Sequence, residues 1–304
     1  MAAFHQFLRK VSWDDVPYAA QAGLTPYQVI AADGSETGLF TGYFEPLLRG
    51  SKTRSASYTH AVYAPPADLS ILPNFAGSNQ VGQFAYGKSD ADGHFIPHVT
   101  RAEVMRGALD NKNPEHQNLE LLFVDDAVDL FFAHVQGSAA IIMDDGSIQR
   151  IGFAAKSGHP YVAIGKTLKD MGVLSPLITM ESIKAWLRTN SSQMEHVLAS
   201  NPSFIFFKLL NGSGPIGASG EVLTPEQSLA VDDTIWPYGL QVIVATTDPM
   251  DASKPFIRLM RTVDTGSAIR GVIRGDIYFG SGDSAGAKAG AMNASGKLWV
   301  LLLN

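Results

Sequence analysis

From Asn211 to Asn304 the sequence breaks into short apolar runs separated by glycine-rich turns, and this punctuation constrains the fold more than anything else in the chain. "NGSGPIGASG" (211–220) reads as a flexible junction by composition. Beyond it, "LQVIVATT" (240–247), "FIRLMRTV" (256–263) and "KLWVLLL" (297–303) are strand candidates, and no convincing helical period is present. Short strands joined by such turns point to a barrel or a sandwich. The whole chain holds 29 glycines and 16 prolines, which suits many turns and strands better than long helices.

The first two-thirds are mixed. Phe4, Phe7, Leu8 and Val11 recur at helical spacing and predict an opening amphipathic helix. "GLFTGYFEPLLRGS" predicts a strand ending at Pro46, and the Pro65-Pro66 break marks a candidate domain crossing. Residues 70–97, rich in Gly, Ser and Asp, read as loop. Thr100 followed by Glu103 forms a capping box, so a helix is expected after it. Val128, Phe131, Phe132 and Val135 predict a second helix, and "AAIIMDDGSIQRIGFA" a hairpin turning at Asp145-Gly146. Ile183, Trp186 and Leu187 mark a third helix with Thr179 as N-cap, and Met194, Val197 and Leu198 a fourth.

Composition excludes several classes. The net charge is −6, without the basic footprint that nucleic-acid binding needs. The absence of cysteine removes disulfides, cysteine nucleophiles and thiolate metal sites. The eight histidines are scattered without a His-x-x-x-His pair, and no EF-hand loop occurs, so no metal and no cofactor are expected. No apolar run approaches the ~18 residues of a spanning helix.

"GDSAG" (282–286) matches the G-x-S-x-G nucleophile elbow. An esterase triad runs Ser, Asp/Glu, His in chain order, yet the last histidine is His196 and only twenty residues follow Ser284. The serine therefore fails as a nucleophile, and the stretch reads as a glycine-rich loop in which Asp283 is a turn residue or a ligand contact. Aspartates are the better candidates. Asp264 and Asp276 are flanked by apolar strand sequence and glycines. A carboxyl group in such a wall has its pKa raised, as a general acid requires. Glycosidic bonds are commonly cut by carboxyl groups in grooves lined with aromatics and amides. Candidate liners are Tyr43, Phe44, Gln136, Tyr161, Trp236, Tyr238, Tyr278 and Phe279, each of which serves equally well as core.

Five blocks occur in one order: "FTGYFEP" (40–46), "FFAHVQGSAAI" (131–141), "GHPYVAIGKTL" (158–168), "NPSFIFFK" (201–208) and "VDTGSAIRGVIRGDIYFGSGDSAGAKAG" (263–290). Together they resemble the membrane-bound lytic murein transglycosylase A family over most of the chain. The resemblance implies a mainly β fold. Residues 1–68 and 215–304 would form a double-psi β-barrel, the 3D domain, and residues 69–214 a smaller inserted mixed α/β domain, with a groove between them. It implies cleavage of the β-1,4 bond between N-acetylmuramic acid and N-acetylglucosamine in peptidoglycan. The muramic C6 hydroxyl attacks C1 and leaves a 1,6-anhydro ring.

The position matching the family's catalytic acid is Asp276, with Asp264 and Asp232 in supporting roles. Gly42, Tyr43, Gln136, Gly137, Ser138, Lys156, His159, Tyr161, Lys208, Gly266 and Ala268 fall in matching blocks as candidate substrate contacts. Ser157, Ala139 and Ser267 depart from the residues common there. The implied partner is the glycan strand, with other cell-wall enzymes as further candidates, and the implied state is a monomer. The implied place is the periplasm or envelope of a Gram-negative bacterium. Outer-membrane attachment stays open, because neither a lipid-anchor cysteine nor a signal segment is visible. Two other readings remain. One is a non-catalytic glycan-binding or wall-loosening module. The other is an inverting hydrolase using Asp264 and Asp276.

Overall fold

The computed structural model describes residues 3–72, 85–173, 179–212, 214–266 and 268–304. Its contacts divide the chain into two units, one of residues 1–45 with 216–304 and one of residues 46–215. The first unit opens with strands β1 (Leu8–Lys10), β2 (Leu24–Val29) and β3 (Gly38–Glu45). The inserted unit follows with β4 (Leu47–Ser51), β5 (His60–Tyr63), β6 (Ser70–Leu72), β7 (Ala85–Ser89) and β8 (Phe95–Ile96). It continues through α1 (Arg101–Met105), β9 (Glu120–Val124), α2 (Ala127–Gln136), β10 (Ser138–Met143) and β11 (Ile148–Lys156). It closes with α3 (Ile164–Asp170), α4 (Met180–Thr189), α5 (Ser191–Ala199) and β12 (Ile205–Leu210). The chain then returns to the first unit as β13 (Ser228–Val231), β14 (Gln241–Thr247), β15 (Pro255–Asp264), β16 (Gly275–Ser281), α6 (Asp283–Ala291) and β17 (Asn293–Leu303).

In the first unit six strands close on themselves in the order β17-β14-β15-β13-β16-β3, because β3 pairs back onto β17; β2 and β1 extend the sheet from β17. Two of the pairings are parallel, β13 with β15 and β16 with β3. This is the mainly β barrel that the resemblance implied. Alternation explains the closure. Phe40, Leu229 and Ile277 are fully buried, while their strand neighbours Thr41 and Asp276 stay partly open.

The inserted unit is built on a six-stranded sheet, β12-β11-β10-β4-β9-β5. Leu48, Val62, Ile141, Ile151 and Phe207 fill its core. A second cluster joins its helices, with Phe131, Leu168, Leu187 and Val197 at the centre. Helix α2 starts where the Asp126 side chain accepts hydrogen bonds from the Val128 and Asp129 amides at 2.8 and 2.9 Å. It stops at Gly137, whose φ of +79° is the left-handed C-cap conformation. The Thr100 and Thr179 caps and the hairpin at Asp145-Gly146 form as expected.

Five expectations differ from the structure. The Phe4–Val11 period gives only a short 3-10 turn over Ala3–Phe7, because Leu8–Lys10 is taken into the sheet against β2 and Phe4 packs on Trp236. Residues 70–97 hold three short strands rather than loop alone, although residues 73–84 lie outside the described set. The first division between units comes after Glu45, not near Pro65-Pro66, since β4 and β5 both pair with β9 of the insert. The inserted unit is also the larger of the two.

The fifth difference is "DSAGAKAGA" (283–291), which is helix α6 rather than loop. Its buried face is Ala285, Gly286 and Ala289. A stripe of such small side chains leaves no large-hydrophobic period to read, but it lets a helix lie directly on a strand. A Cβ added at Gly42 in β3 would fall 2.8 Å from the Ala289 Cα and 2.7 Å from the Phe279 ring. One added at Gly286 would sit 3.0 Å from the Phe44 ring. Gly42→Ala is therefore expected to destabilise the chain by ~1–3 kcal/mol through overpacking. Gly286→Ala should cost less, because Phe44 can shift and alanine gains about 1 kcal/mol over glycine within a helix. Urea unfolding of both variants measures the difference.

Candidate active site

Sheet register brings the key residues into one row. Asp264 in β15 lies opposite Ala230 in β13, Ala230 opposite Asp276 in β16, Asp276 opposite Thr41 in β3, and Thr41 opposite Asn293 in β17. Directly paired residues share a face. The two aspartates thus stand on one side of the barrel wall, two strands apart.

Their environments differ sharply. The Asp276 side chain is 21% exposed. Burial raises its pKa, and the Arg274 charge and hydrogen bond pull it only partly back. Arg274 Nη1 donates to Asp276 Oδ1 at 3.2 Å and to the Gly275 carbonyl at 2.6 Å, while Nη2 donates to Thr41 Oγ1 at 2.8 Å. The guanidinium therefore grips one carboxylate oxygen from a fixed position. Oδ2 accepts no hydrogen bond among the described residues and remains available to a ligand.

Asp264 is held by three hydrogen bonds. Its Oδ1 accepts from the Ala218 and Thr265 amides, both at 2.9 Å, and its Oδ2 from the Tyr43 hydroxyl at 2.9 Å. Burial and the nearby Asp276 charge nonetheless hold its pKa above the ordinary value. Tyr43 rests on Tyr278, with ring centroids 5.3 Å apart, and burial pushes its hydroxyl pKa well up.

Asp232 behaves in the opposite way. Burial works to raise its pKa, but the Gly271 amide, Thr234 and Arg270 together hold it below the ordinary value. Gly271 N–H donates to its Oδ2 at 2.8 Å, and the Thr234 hydroxyl and Arg270 reach its Oδ1 at 2.7 and 3.2 Å. It thereby ties the start of the 232–236 turn to the loop between β15 and β16. Gly266 and Ala268 sit on that same loop, where the Ile269 amide closes a turn on the Gly266 carbonyl at 3.0 Å. Ser267 lies outside the described residues.

The remaining candidates belong to the inserted unit. Gln136, Gly137 and Ser138 form the passage from α2 to β10. Ser138 pairs with Gly152, and Gly152 with Lys208, so these three share a row across β10, β11 and β12. Lys156 ends β11 with its ammonium 5.7 Å from the Tyr86 ring. His159 Nε2 donates to the His98 carbonyl at 3.0 Å, and Tyr161 is 53% exposed. Four of the proposed aromatic liners, Phe44, Trp236, Tyr278 and Phe279, are instead buried in the barrel unit.

Sequence reading passed over Arg274 and Thr41, although Arg274 stands two residues before Asp276 in "RGDIYFG". It also passed over Glu45, a fully buried carboxyl that accepts a 2.6 Å hydrogen bond from Ser281.

Among the described residues, two groups of side chains approach metal-ligand spacing. In the first, Asp68, His98 and His116, the Val99 amide donates to His98 Nδ1 at 2.8 Å. The His98 proton is thereby placed on Nε2, the atom that faces Asp68 at 3.0 Å, and Lys88 lies 3.8 Å from the same carboxylate. A ligating histidine needs the reverse tautomer, with Nδ1 donating. In the second, Asp90 Oδ1 accepts from the Asp92 and His94 amides at 3.0 and 2.8 Å, as in a turn. The tautomer of His98 therefore argues against ligation in the first group, and the second has the hydrogen bonds of a turn.

Comparison with known proteins adds a family context. Residues 39–208 match the MltA specific insert domain, and residues 227–302 match the 3D domain. The membrane-bound lytic murein transglycosylase A of Escherichia coli strain K12 is 32% identical over 289 residues, 92% of this chain and 70% of that protein. Its Vibrio cholerae counterpart is 29% identical, covering 93% of this chain and 70% of that protein. Among solved structures, the membrane-bound lytic murein transglycosylase of Agrobacterium tumefaciens superposes with a TM-score of 0.79 at 35% identity, over 92% of this chain and 77% of that one. Escherichia coli MltA with bound chitohexaose does so with a TM-score of 0.75 at 30% identity, over 92% and 76%. Among the described residues, no helix is long and apolar enough to cross a membrane.

The raised pKa of Asp276 has a consequence for stability. The folded chain holds this proton more tightly than the unfolded chain. Below the unfolded-state pKa of an aspartate the group is neutral in both states and contributes nothing. As pH rises from there through the folded value, ionisation becomes a growing cost to the fold. Asp276→Asn should therefore be more stable than the parent at neutral pH, by roughly 0.5–2 kcal/mol. That gain should vanish in strongly acidic solution. Denaturant titrations at both pH values test the sign.

Proposed function

This chain belongs to the membrane-bound lytic murein transglycosylase A family and is a peptidoglycan lytic transglycosylase, and on that premise we propose that Asp276 is its single general acid and base. The observation that carries the assignment is the state of the Asp276 carboxyl. It is half-buried with a raised pKa, held on one oxygen by Arg274 and open on the other. The substrate is the β-1,4 bond between N-acetylmuramic acid and N-acetylglucosamine.

In the first part of the reaction, protonated Asp276 gives its proton to the glycosidic oxygen as the C1–O4 bond breaks. The C6 hydroxyl of the same muramic residue then bonds to C1 and releases its proton to the Asp276 carboxylate. The acid is regenerated, no water is consumed, and the product carries a 1,6-anhydro ring. A hydrolase usually needs two carboxyl groups. Here the substrate supplies the nucleophile, so one suffices.

The state of Asp264 supports this over an inverting hydrolase. A base that activates water needs an open oxygen, and both Asp264 oxygens are engaged, Oδ1 by two backbone amides and Oδ2 by the Tyr43 hydroxyl. Asp264 is instead assigned to holding Tyr43 in place. Asp232 is assigned to anchoring the loop that precedes β16. Gly42, Tyr43, Gly266 and Ala268 in the barrel unit are proposed glycan contacts. So are Gln136, Gly137, Ser138, Lys156, His159, Tyr161 and Lys208 in the inserted unit. The proposed location is the cell envelope, in keeping with the membrane-bound relatives.

Digestion of purified sacculi in labelled water, followed by mass spectrometry, tests the reading. The parent should release 1,6-anhydro fragments without solvent oxygen. Asp276→Ala should lower the rate by about 10²–10⁴-fold or more while still binding glycan strands. Full activity in that variant, or reducing ends carrying labelled oxygen, overturns the assignment. A parent that binds strands and releases nothing is a binding module.

A second measurement probes Arg274. Its charge lowers the Asp276 pKa, and catalysis starts from the protonated acid. Activity is thus lost as pH rises through that pKa. Arg274→Met should move the alkaline limb of the rate profile to higher pH, whatever it does to the maximal rate.

A further inference from the structure

The row that carries Asp276 continues past Thr41 to Asn293, a residue the proposed reaction does not use. Thr41 in β3 pairs with Asp276 on one side and with Asn293 on the other, and directly paired residues share a face. Neighbouring strands lie about 4.8 Å apart, so the Asn293 backbone stands roughly 10 Å from that of Asp276. One step along the same pair of strands, Leu39 is opposite Ser295. Side chains two apart on a strand return to one face, which places Leu39 with Thr41 and Ser295 with Asn293. Exposure agrees with this parity. Leu39, Asn293 and Ser295 are exposed, whereas Phe40, Met292 and Gly296 are buried.

The wall beside the acid thus presents one amide, one hydroxyl and one large apolar side chain, with Leu39 44% exposed. Among the described residues, the side chains of Asn293 and Ser295 make no hydrogen bond. The charges around them are already engaged. Arg274 is held by Asp276, the Gly275 carbonyl and Thr41. Lys297, the next residue of β17 on this face, meets Glu36 at 3.4 Å. Leu39, Asn293 and Ser295 therefore offer apolar contact and hydrogen bonds in both directions, without charge.

We propose that these three side chains seat an N-acetylglucosamine residue of the glycan strand, next to the muramic residue that reacts at Asp276. This rests on the assignment of Asp276 above. An acetamido group carries one N–H donor and one carbonyl acceptor, and the Asn293 amide supplies the complementary Oδ1 acceptor and Nδ2 donor. The acetamido methyl then covers Leu39. Muramic acid is the poorer fit, because its lactyl group ends in a carboxyl or a peptide for which an uncharged seat has no counter-charge.

Kinetics on purified glycan strands test this. Asn293→Ala should raise KM by about 2–10-fold, as expected for a lost neutral hydrogen bond, and leave kcat within about twofold. Leu39→Ala should raise KM by about 2–5-fold through lost apolar contact. Both residues are exposed, so the fold should tolerate either change. Strands with partly de-N-acetylated glucosamine test the acetamido contact, since mass spectrometry of the products reads which glucosamine adjoins each cut. The parent should cut in preference beside acetylated residues, and Asn293→Ala should shrink that preference by about 2–10-fold. An unchanged KM, a loss confined to kcat or an unaltered preference overturns the proposal. Binding of strands to Asp276→Ala, with and without Asn293→Ala, reads the same seat without turnover. If the parent releases no 1,6-anhydro fragments while Asn293→Ala weakens that binding, the reaction assigned above falls and the seat stands. If the parent turns over and binding is indifferent to Asn293→Ala, the seat falls and the reaction stands.

Discussion

The parallel pairing of β3 with β16 is the contact on which both the barrel and its site rest. Strand β3 closes the barrel by pairing with β16 on one side and β17 on the other. The same register sets Thr41 beside Asp276 and Tyr43 beside Tyr278. Thr41 then receives the Arg274 guanidinium that grips Asp276, and Tyr43 donates to Asp264. A slip of one residue would turn Thr41 and Tyr43 to the opposite face and undo both arrangements at once. Catalytic geometry and closure of the fold are thus one constraint.

Three aspartates of one chemical type show how environment divides labour. Asp232 is surrounded by donors and a cation, and its pKa falls. Asp264 receives three hydrogen bonds, but burial outweighs them and its pKa rises. Asp276 has a single partner and a partly open face, and its pKa rises too. Only the last combines a raised pKa with an oxygen free of hydrogen bonds to deliver the proton. The division follows from hydrogen-bond inventory and burial, neither of which is encoded at the aspartate positions themselves.

This is why the sequence was legible in some places and not in others. Caps at Thr100 and Thr179, the turn at Asp145-Gly146 and the long C-terminal strands are local signals, and each appears in the structure. The apolar setting of Asp264 and Asp276 was visible in their flanking strands. Helix α6 was not, because Ala285, Gly286 and Ala289 bury a face too small to register as a hydrophobic period. The opening segment failed for the opposite reason. Phe4, Phe7, Leu8 and Val11 have a helical period, but pairing with β2 claims Leu8–Lys10. Arg274 and Thr41 lie 233 positions apart, and no local pattern joins them.

The small residues of α6 also bear on how firmly Asp276 is held. Helix α6 packs closely on β3, where a Cβ at Gly42 would fall 2.8 Å from the Ala289 Cα and the Phe44 ring lies against Gly286. Its Lys288 reaches Glu226 at 2.8 Å, and Glu226 is gripped in turn by Arg258 at 2.9 and 3.0 Å. The Glu226 amide donates to the Tyr278 carbonyl of β16 at 2.7 Å. A chain of contacts therefore runs from α6 through Glu226 back to the strand carrying Asp276. Side chains that must be longer to reach across a gap bring rotamer freedom with them. Close backbone packing removes that freedom, and preorganised groups lose least on the way to a transition state. The stretch that imitates a nucleophile elbow thus contributes stiffness rather than a nucleophile, beneath the one carboxyl group proposed to do the chemistry.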